Sequence, residues 1–206
     1  NVVYQIVGQP LGVFYLPHCK GLVKNENGRY SYDIEDLDHN GQVDLSDGGD
    51  RYIAGQATPK VILGSNISFR YKNYYVSIQM NGAFGHKIFN GTGLAYTSMA
   101  CFPDYNVLKD APKKNIVDQR VSDYWLEKGD YLNFEHLTLG YNVPLRSKLI
   151  RSLRVSCNII NIGTITGYKG LTPMINSYVV NSTMVIDDKR NYPLYRTYSL
   201  GLSVQF

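Results

Sequence analysis

The chain has 206 residues, a formal net charge of +4 and hydrophobic residues at 44% of its positions, which fits one large or two small globular domains. Its basic residues are scattered rather than gathered into a stripe, so a nucleic-acid partner is not indicated. No run approaches the roughly 18 apolar residues of a membrane-spanning helix. Tyrosine occurs 18 times and glycine 19 times, a mixture that favours an all-β fold.

An acidic stretch near the start of the chain fits the spacing of an EF-hand-like calcium loop. Positions one, three, five, seven, nine and twelve of the loop are held by Asp36, Asp38, Asn40, Gln42 (through its carbonyl), Asp44 and Asp47. Gly41 supplies the turn, and hard oxygen ligands favour Ca²⁺ over transition metals. Because Asp47 replaces the usual glutamate and no helical pattern flanks the loop, a solvated turn rich in Asp, Asn and Gly is the alternative.

The rest of the chain predicts five β-strands, since apolar side chains alternate with small or polar ones at a period of two. The predicted strands are residues 61–71, 74–84, 131–143, 153–162 and 198–206. Lys72 and Asn73 join the first two strands in a tight hairpin. The last strand alternates without a break and ends on Phe206.

The third predicted strand changes phase along its length. Leu132 and Phe134 have the parity opposite to that of Leu137 and Leu139. We therefore expect either a bulge near Glu135 or a part of the strand that stands clear of the apolar zone.

The connections between the strands alternate between short and long. Loops beyond about 15 residues are uncommon in compact domains, but outer-membrane barrels combine short periplasmic turns with long extracellular loops. We predict an extracellular loop region over residues 1–60 and about five membrane strands with their loops over residues 61–206, with Phe206 on the periplasmic side. A strand of 11 residues at about 3.3 Å each, tilted by about 40°, spans an apolar band of about 25 Å.

Five strands cannot close a barrel, and open sheet edges are not tolerated in hydrocarbon. We therefore expect sequence outside this chain to supply further strands, and the chain, which begins at Asn1, to be a processed or excised piece. Tyrosines near strand ends predict an interfacial girdle, although tyrosine also prefers strands in general; they are Tyr71, Tyr74, Tyr141, Tyr195 and Tyr198. Interior-facing polar residues would line a solute path or contact a plug; they are Ser77, Gln79, Asn81, Asn158, Ser199 and Gln205.

Six stretches in order carry a resemblance to a known family. They are "VGQPLGVFY" from Val7, "DLDHNGQVDLSD" with the following residues to Asn90, "YWLEKGDYLNFEHLTLGYNVP" from Tyr124, "SLRVSCNIINI" from Ser152, "YKGLTP" from Tyr168 and "YPLYRTYSLGLSVQF" from Tyr192. With these stretches the chain resembles the carboxy-terminal part of the SusC/RagA-type TonB-dependent outer-membrane transporters. It departs from the family pattern at Thr172 and Met174, which stand where an acidic pair is usual, and at Leu194-Tyr195.

The resemblance implies a function, a location and a set of partners. It implies energy-coupled import of oligosaccharides or peptides across the bacterial outer membrane, through a barrel of about 22 strands with an internal plug and a SusD-like surface lipoprotein. The family carries its plug and its TonB-contacting segment amino-terminal to the region matched here. The expected partners are therefore the rest of the transporter, the SusD-like lipoprotein, the TonB complex, outer-membrane lipid and the cargo.

No constellation in the sequence points to catalysis. His18, His39, His86 and His136 are far apart in sequence, and no nucleophile elbow, phosphate-binding glycine loop or metalloprotease helix occurs. Cys19, Cys101 and Cys157 lack metal-site spacing, and at most one pair could form a disulfide. We expect no enzymatic activity. The rival interpretation is a soluble, calcium-containing β-sandwich that binds carbohydrate at the cell surface.

Overall fold

The computed structural model describes residues 1–146, 149–175, 186–188 and 192–206. The chain divides into two compact units. The first unit comprises residues 1–59, 85–129 and 168–192, and the second comprises residues 60–84, 130–167 and 193–206. Parts of the predicted connections 144–151 and 163–193 lie outside the described residues.

Among its described residues, the first unit holds seven short strands and two short α-helices. The strands are β1 (Val3–Tyr4), β2 (Val13–Leu16), β3 (Cys19–Lys24), β4 (Tyr30–Ile34), β5 (Tyr52–Gln56), β8 (Lys87–Phe89) and β9 (Leu126–Lys128), and the helices are α1 (Gly91–Thr97) and α2 (Ala111–Lys114). Antiparallel pairing joins β1, β2 and β5 in one sheet, β3 with β4, and β8 with β9. The first 60 residues, predicted as a loop region, therefore contain five strands.

The first unit has a conventional buried core. Its buried side chains are Phe14, Leu16, Tyr32, Ile34, Ala54, Ala57, Phe89, Ile116 and Trp125. The indole N–H of Trp125 donates a 3.0 Å hydrogen bond to the hydroxyl of Tyr32, which satisfies the buried indole donor. The predicted connection 85–130 thus contributes Phe89, Ile116 and Trp125 to this core instead of running free through solvent.

The second unit is a five-stranded antiparallel sheet in which neighbours along the chain are neighbours in space. The order is β12-β11-β10-β7-β6, with β6 at Val61–Tyr71, β7 at Tyr74–Phe84, β10 at Tyr131–Val143, β11 at Ser152–Thr166 and β12 at Thr197–Gln205. The five predicted strands are confirmed, with β11 extending four residues further and Phe206 lying just past β12. Among the described residues, no other strand pairs with β6 or β12 on its outer edge.

The phase change in β10 is a bulge, the first of the two alternatives expected from the sequence. The register of β10 shifts between Phe134 and His136 against β7 and also against β11. With this bulge, Phe134 pairs with Met80 and Leu132 pairs with Gly82. The side chains of both residues therefore lie on the same face of the sheet as Leu137. On β11 the same irregularity includes Asn161, which has a φ of 56°.

Short and long connections leave from opposite ends of this sheet. Tyr71 pairs with Tyr74 across the Lys72–Asn73 turn, and Val143 pairs with Leu153 at the same end. At the other end Val61 pairs with Phe84 and Tyr131 pairs with Thr166. The sequence therefore returns to one end by short turns and makes its long excursions from the other.

The described helices include none that is long and apolar enough to cross a membrane. Cys19, Cys101 and Cys157 are free thiols, each half-buried.

Candidate functional sites

The acidic loop brings three carboxylates together. One oxygen each from Asp36, Asp38 and Asp50 lie within 4.8 Å of one another. Asp36 and Asp38 are predicted metal ligands, whereas Asp50 is not among the six residues that the sequence singles out. Three carboxylates at this separation repel one another unless protons, hydrogen bonds or a cation offset their charge.

Asp36 presents one occupied and one unoccupied oxygen. Its Oδ2 accepts a 2.8 Å hydrogen bond from the backbone N–H of Gly41, and this bond is the main reason why the pKa of the Asp36 carboxyl lies below its usual range. Its Oδ1 is shielded from solvent and has no hydrogen-bond partner among the described residues. A buried ionised oxygen without a donor is costly, so this atom is a suitable ligand for a cation.

Asp50 is the central element of the loop. It is only 1% exposed, and its Oδ1 accepts hydrogen bonds from the backbone N–H groups of Leu37 and Asp38, at 2.6 and 3.3 Å. Its Oδ2 accepts from the backbone N–H of Asp44 at 2.8 Å. One carboxylate therefore ties the two ends of the loop together while lying beside Asp36 and Asp38.

The other predicted ligands form turns within the loop. Asn40 donates from Nδ2 to Asp38 Oδ2 at 2.8 Å, and its Oδ1 accepts from the backbone N–H of Gln42 at 2.8 Å. Asp44 accepts from the backbone N–H and the hydroxyl of Ser46, and these bonds hold its carboxyl pKa below the usual range. These hydrogen bonds keep Asn40, Gln42 and Asp44 within the acidic loop, close in sequence to Asp36 and Asp38.

Asp47 is engaged elsewhere. Its Oδ1 accepts a 2.6 Å hydrogen bond from the hydroxyl of Tyr4 and lies 3.1 Å from Nη1 of Arg51. Asp50 rather than Asp47 is the aspartate near the loop end that joins the carboxylate cluster. The pair Gly48-Gly49 allows the chain to turn so that Asp50 reaches the carboxylate cluster. Gly48 has a φ of 95°, and a Cβ at Gly49 would clash with the backbone oxygen of Asp44.

The donor set fits a hard divalent cation. Carboxylate oxygens with no sulfur or imidazole among them, and a free buried oxygen on Asp36, match the ligand preference of Ca²⁺. Asp36, Asp38 and Asp50 would hold the ion. Asn40, Gln42 and Asp44 carry oxygen atoms of the right chemistry to complete its coordination.

The five-stranded sheet is a second candidate site, because its two faces differ in chemistry. One row across the sheet reads Phe69, Val76, Leu139, Cys157, Leu200, and the next reads Tyr71, Tyr74, Tyr141, Val155, Leu202. These apolar side chains are largely open to the surroundings: Phe69 is 65% exposed and Leu200 is 84% exposed. A soluble sandwich would bury such a face against a second layer.

Polar side chains form hydrogen-bonded rows on the opposite face. The Ser68 and Ser77 hydroxyls are 2.9 Å apart, and Ser77 also donates to Asn66. Thr138 donates to Asn158, which in turn donates to Ser199 at 3.4 Å. The predicted interior residues Asn81 and Gln205 bond to Glu135 and Ser152.

A glycine on this polar face allows close packing of an aromatic ring. Tyr75 lies over Gly140, where any Cβ would clash with the ring, and the guanidinium of Arg154 lies 5.3 Å from the ring centroid on Tyr75. Arg154 also donates to Asn142 at 2.9 Å. The polar face therefore carries a fixed cation, an aromatic ring and amides side by side.

Comparison with known proteins agrees with this architecture. No protein-family model matches the chain. The chain is 27% identical over 227 residues to TonB-dependent receptor P3 of Formosa agariphila, covering 97% of the chain and 22% of that protein. It is also 27% identical over 198 residues to TonB-dependent receptor SusC of Bacteroides thetaiotaomicron, covering 89% of the chain and 18% of that protein.

Solved structures of the RagAB peptide importer have the same fold. The open-open state matches with a TM-score of 0.75 at 18% identity, and the closed-closed state with 0.69 at 15% identity. Each match covers the whole chain but only 23% and 25% of the solved chain. The chain thus spans about a fifth to a quarter of the proteins that it matches.

The fold class is thereby confirmed: the chain consists mostly of antiparallel β-strands, and its fold matches part of the solved RagAB structures. Within that class, the chain resembles the SusC/RagA-type TonB-dependent transporters in both sequence and fold. The resemblance derived from the six sequence stretches is confirmed.

Proposed function

We propose that this chain supplies membrane strands and extracellular loops to a TonB-dependent importer in the bacterial outer membrane. The observation that carries the proposal is the exposed apolar face of the five-stranded sheet, backed by a polar face on the other side. Lipid tails would cover the apolar rows, and the hydrogen-bonded polar rows would face a wet interior. The tyrosines Tyr71, Tyr74 and Tyr141 would form part of the girdle at the short-turn end.

The two outer edges of the sheet support the same proposal. Strands β6 and β12 each leave one row of backbone N–H and C=O groups for pairing, and hydrocarbon does not tolerate such groups unpaired. Further strands from the same transporter would pair with both edges and close the barrel. The long connections would then be extracellular loops, because they leave from the end of the sheet opposite the Lys72–Asn73 turn.

The cargo is proposed from family likeness. The solved neighbours are named as a peptide importer, and the SusC/RagA resemblance also allows oligosaccharides. We propose uptake of oligosaccharides or peptides with a SusD-like surface lipoprotein as partner. Coupling to the TonB complex belongs to the plug-bearing part of the transporter.

The acidic loop is proposed to bind Ca²⁺ through Asp36, Asp38 and Asp50, with further oxygens from Asn40, Gln42 and Asp44. Its role would be to brace an extracellular loop, where calcium is abundant enough for a weak site to fill. Asp47 would act through Tyr4 and Arg51, as a support of the loop.

An uptake experiment tests the importer function. The full-length transporter would be deleted from its host and restored with the natural sequence or with Leu139→Lys, and uptake of oligosaccharide and peptide mixtures would be measured with and without an active TonB system. We expect uptake to return with the natural sequence, to require TonB and to fail with Leu139→Lys because the barrel does not assemble. Full uptake in the deletion strain would overturn the assignment.

Calcium binding is tested separately. The thermal stability of the purified full-length transporter would be followed during Ca²⁺ titration after chelation. We expect stabilisation that Asp36→Asn and Asp38→Asn remove and that the exposed Asp104→Asn control leaves unchanged. If all three variants respond to Ca²⁺ like the natural sequence, the loop is a solvated turn.

A further inference from the structure

A pocket in the first unit is lined by residues outside the acidic loop. It has a volume of about 480 Å³, which is within the usual range for small-molecule sites. Its walls come from α1 with the preceding Asn90, from α2 with the three residues before it, and from Trp125, Glu127 and Lys169. The residues that line it include Asn90, Gly93, Thr97, Leu108, Trp125 and Glu127.

The pocket carries an excess of positive charge. Its lining includes four ammonium groups and two carboxylates; the ammonium groups belong to Lys109, Lys113, Lys114 and Lys169. Asp110 forms an ion pair of 2.7 Å with Lys114, and that pairing is the main cause of the lowered pKa of the Asp110 carboxyl. Within the described part of the chain, Lys109, Lys113 and Lys169 take part in no ion pair.

The second carboxylate, Glu127, already has donors. Its Oε1 accepts from Nδ2 of Asn90 at 2.9 Å, and its Oε2 accepts from the backbone N–H of Lys169 at 2.8 Å. The Oδ1 of Asn90 accepts from the backbone N–H of Gly93 at 2.6 Å. Among the described residues, neither carboxylate forms an ion pair with Lys109, Lys113 or Lys169.

Thr97 is the observation that points to a ligand. The residue is 1% exposed, and its hydroxyl has no hydrogen-bond partner among the described residues. Leaving a buried hydroxyl unpaired costs free energy, and the hydroxyl can either donate or accept. A ligand oxygen in the pocket that Thr97 lines would satisfy this group.

A rigid apolar surface completes the pocket. Trp125 is fixed by its hydrogen bond to Tyr32, and its ring packs so closely on Gly93 that a Cβ there would lie 2.8 Å from Cζ3 of the indole. The ammonium of Lys114 lies 5.9 Å from the centre of the Trp125 ring. Trp125, which is itself only 4% exposed, contributes an apolar wall to the pocket.

We propose that the pocket binds a carboxylate-bearing oligomer, with the carboxylate held by Lys109, Lys113 and Lys169 and by the hydroxyl of Thr97. The inference rests on the proposed import function and names the substrate class for it. An oligouronide and an acidic peptide present the same carboxylate chemistry, so the two sources are separated by experiment.

Binding is measured by calorimetry on the purified full-length transporter. The probes are triglutamate with triglutamine as its neutral counterpart, and trigalacturonate with its neutral methyl ester. The first pocket variant is Thr97→Val, which removes the hydroxyl at constant volume. The second carries Lys109→Gln, Lys113→Gln and Lys169→Gln, and its matched control carries Lys20→Gln, Lys24→Gln and Lys72→Gln, which remove the same charge elsewhere.

We expect at least one acidic probe to bind about tenfold or more tightly than its neutral counterpart, since hydrogen bonds to charged groups are worth that much. The triple pocket variant should lower that affinity about tenfold or more, and the control triple should not. Thr97→Val should weaken binding while leaving the melting temperature equal or higher, a result that a purely structural hydroxyl would not give.

Equal affinity for acidic and neutral probes, absence of binding by both acidic probes, or equal weakening by the pocket and control triples would each overturn the proposal. Binding of triglutamate alone assigns the peptide source, and binding of trigalacturonate alone assigns the glycan source. Acidic-probe binding that survives in a protein without TonB-dependent uptake would remove the import function while the pocket assignment stands.

Discussion

The carboxylate of Asp50 accepts a 2.6 Å hydrogen bond from the backbone N–H of Leu37, thirteen residues earlier in the chain. This bond, with those from Asp38 and Asp44, makes Asp50 the residue that closes the acidic loop. A negative charge that is 1% exposed is held there by three backbone donors, which is the usual way in which a buried carboxylate is accommodated.

Asp50→Ala should open the loop. Three backbone donors lose their acceptor, which should cost about 3 kcal/mol of local stability. Hydrogen exchange of the Leu37, Asp38 and Asp44 amides should accelerate more than about a hundredfold. The matched control is Asp47→Ala, whose side chain is 70% exposed in an ion pair and should cost less than about 1 kcal/mol. Equal acceleration in both variants would show that Asp50 has no special role.

Acid should weaken the loop through Asp36. Its pKa is lower in the folded loop than in the unfolded chain, mainly because Gly41 donates to the carboxylate. The contribution of Asp36 to loop stability is therefore complete above the unfolded value of about 4 and is lost as the pH falls through the lower folded value.

The protection of the Gly41 amide, corrected for intrinsic exchange, should accordingly fall as the pH is lowered from about 5 to about 3 and below. Asp36→Asn should flatten this dependence, because the amide does not titrate. A profile that is the same in the natural sequence and in the variant would rule out Asp36 as its origin.

Gly140→Ala should disturb the polar face of the sheet. The new methyl group would clash with the ring of Tyr75, and moving the ring also disturbs its stacking on Arg154. We expect a loss of about 1–3 kcal/mol, seen as less heat-resistant folded barrel in the membrane fraction. Gly64→Ala is the control, since a Cβ there meets nothing within 4 Å. If the two variants resist heat equally, Tyr75 does not depend on the glycine.

Leu200→Lys should block assembly, whereas Ser199→Lys should be tolerated. The two positions are adjacent on β12 but lie on opposite faces, Leu200 opposite Cys157 and Ser199 opposite Asn158. A lysine on the lipid face near the midplane costs about 2–4 kcal/mol, and an interior position does not carry that cost. The amount of full-length transporter inserted in the outer membrane measures the difference. If Ser199→Lys blocked insertion and Leu200→Lys did not, the face that carries Ser199 would be the one that meets lipid.

The sheet was predictable from sequence because its residues obey a local rule. Alternation with period two is set by the pleat of each strand, and a bulge restores alternation after a single extra residue. Leu132 and Phe134 show this directly, since their wrong parity marked the position where the register of β10 shifts. Pairing partners followed because each strand neighbours the next in the chain.

The acidic loop and the first unit were predictable only in part. Standard loop spacing identifies Asp36 and Asp38, but it selects Asp47 over Asp50. The turn at Gly48-Gly49 that brings Asp50 back to Leu37 is visible only in the three-dimensional structure. The hydroxyl of Thr97, which is buried and has no hydrogen-bond partner among the described residues, likewise could not be recognised from the sequence. Such long-range relationships leave no periodic signal in the sequence.

The most direct test of the account asks which face of β12 meets lipid. In the full-length transporter, with Cys19, Cys101 and Cys157 replaced by serine, single cysteines at Leu202→Cys and Ser203→Cys would be labelled with a fluorophore in vesicles that contain brominated lipid. The account predicts strong quenching of the label at position 202 and weak quenching at 203. Strong quenching at 203 with none at 202 would contradict it.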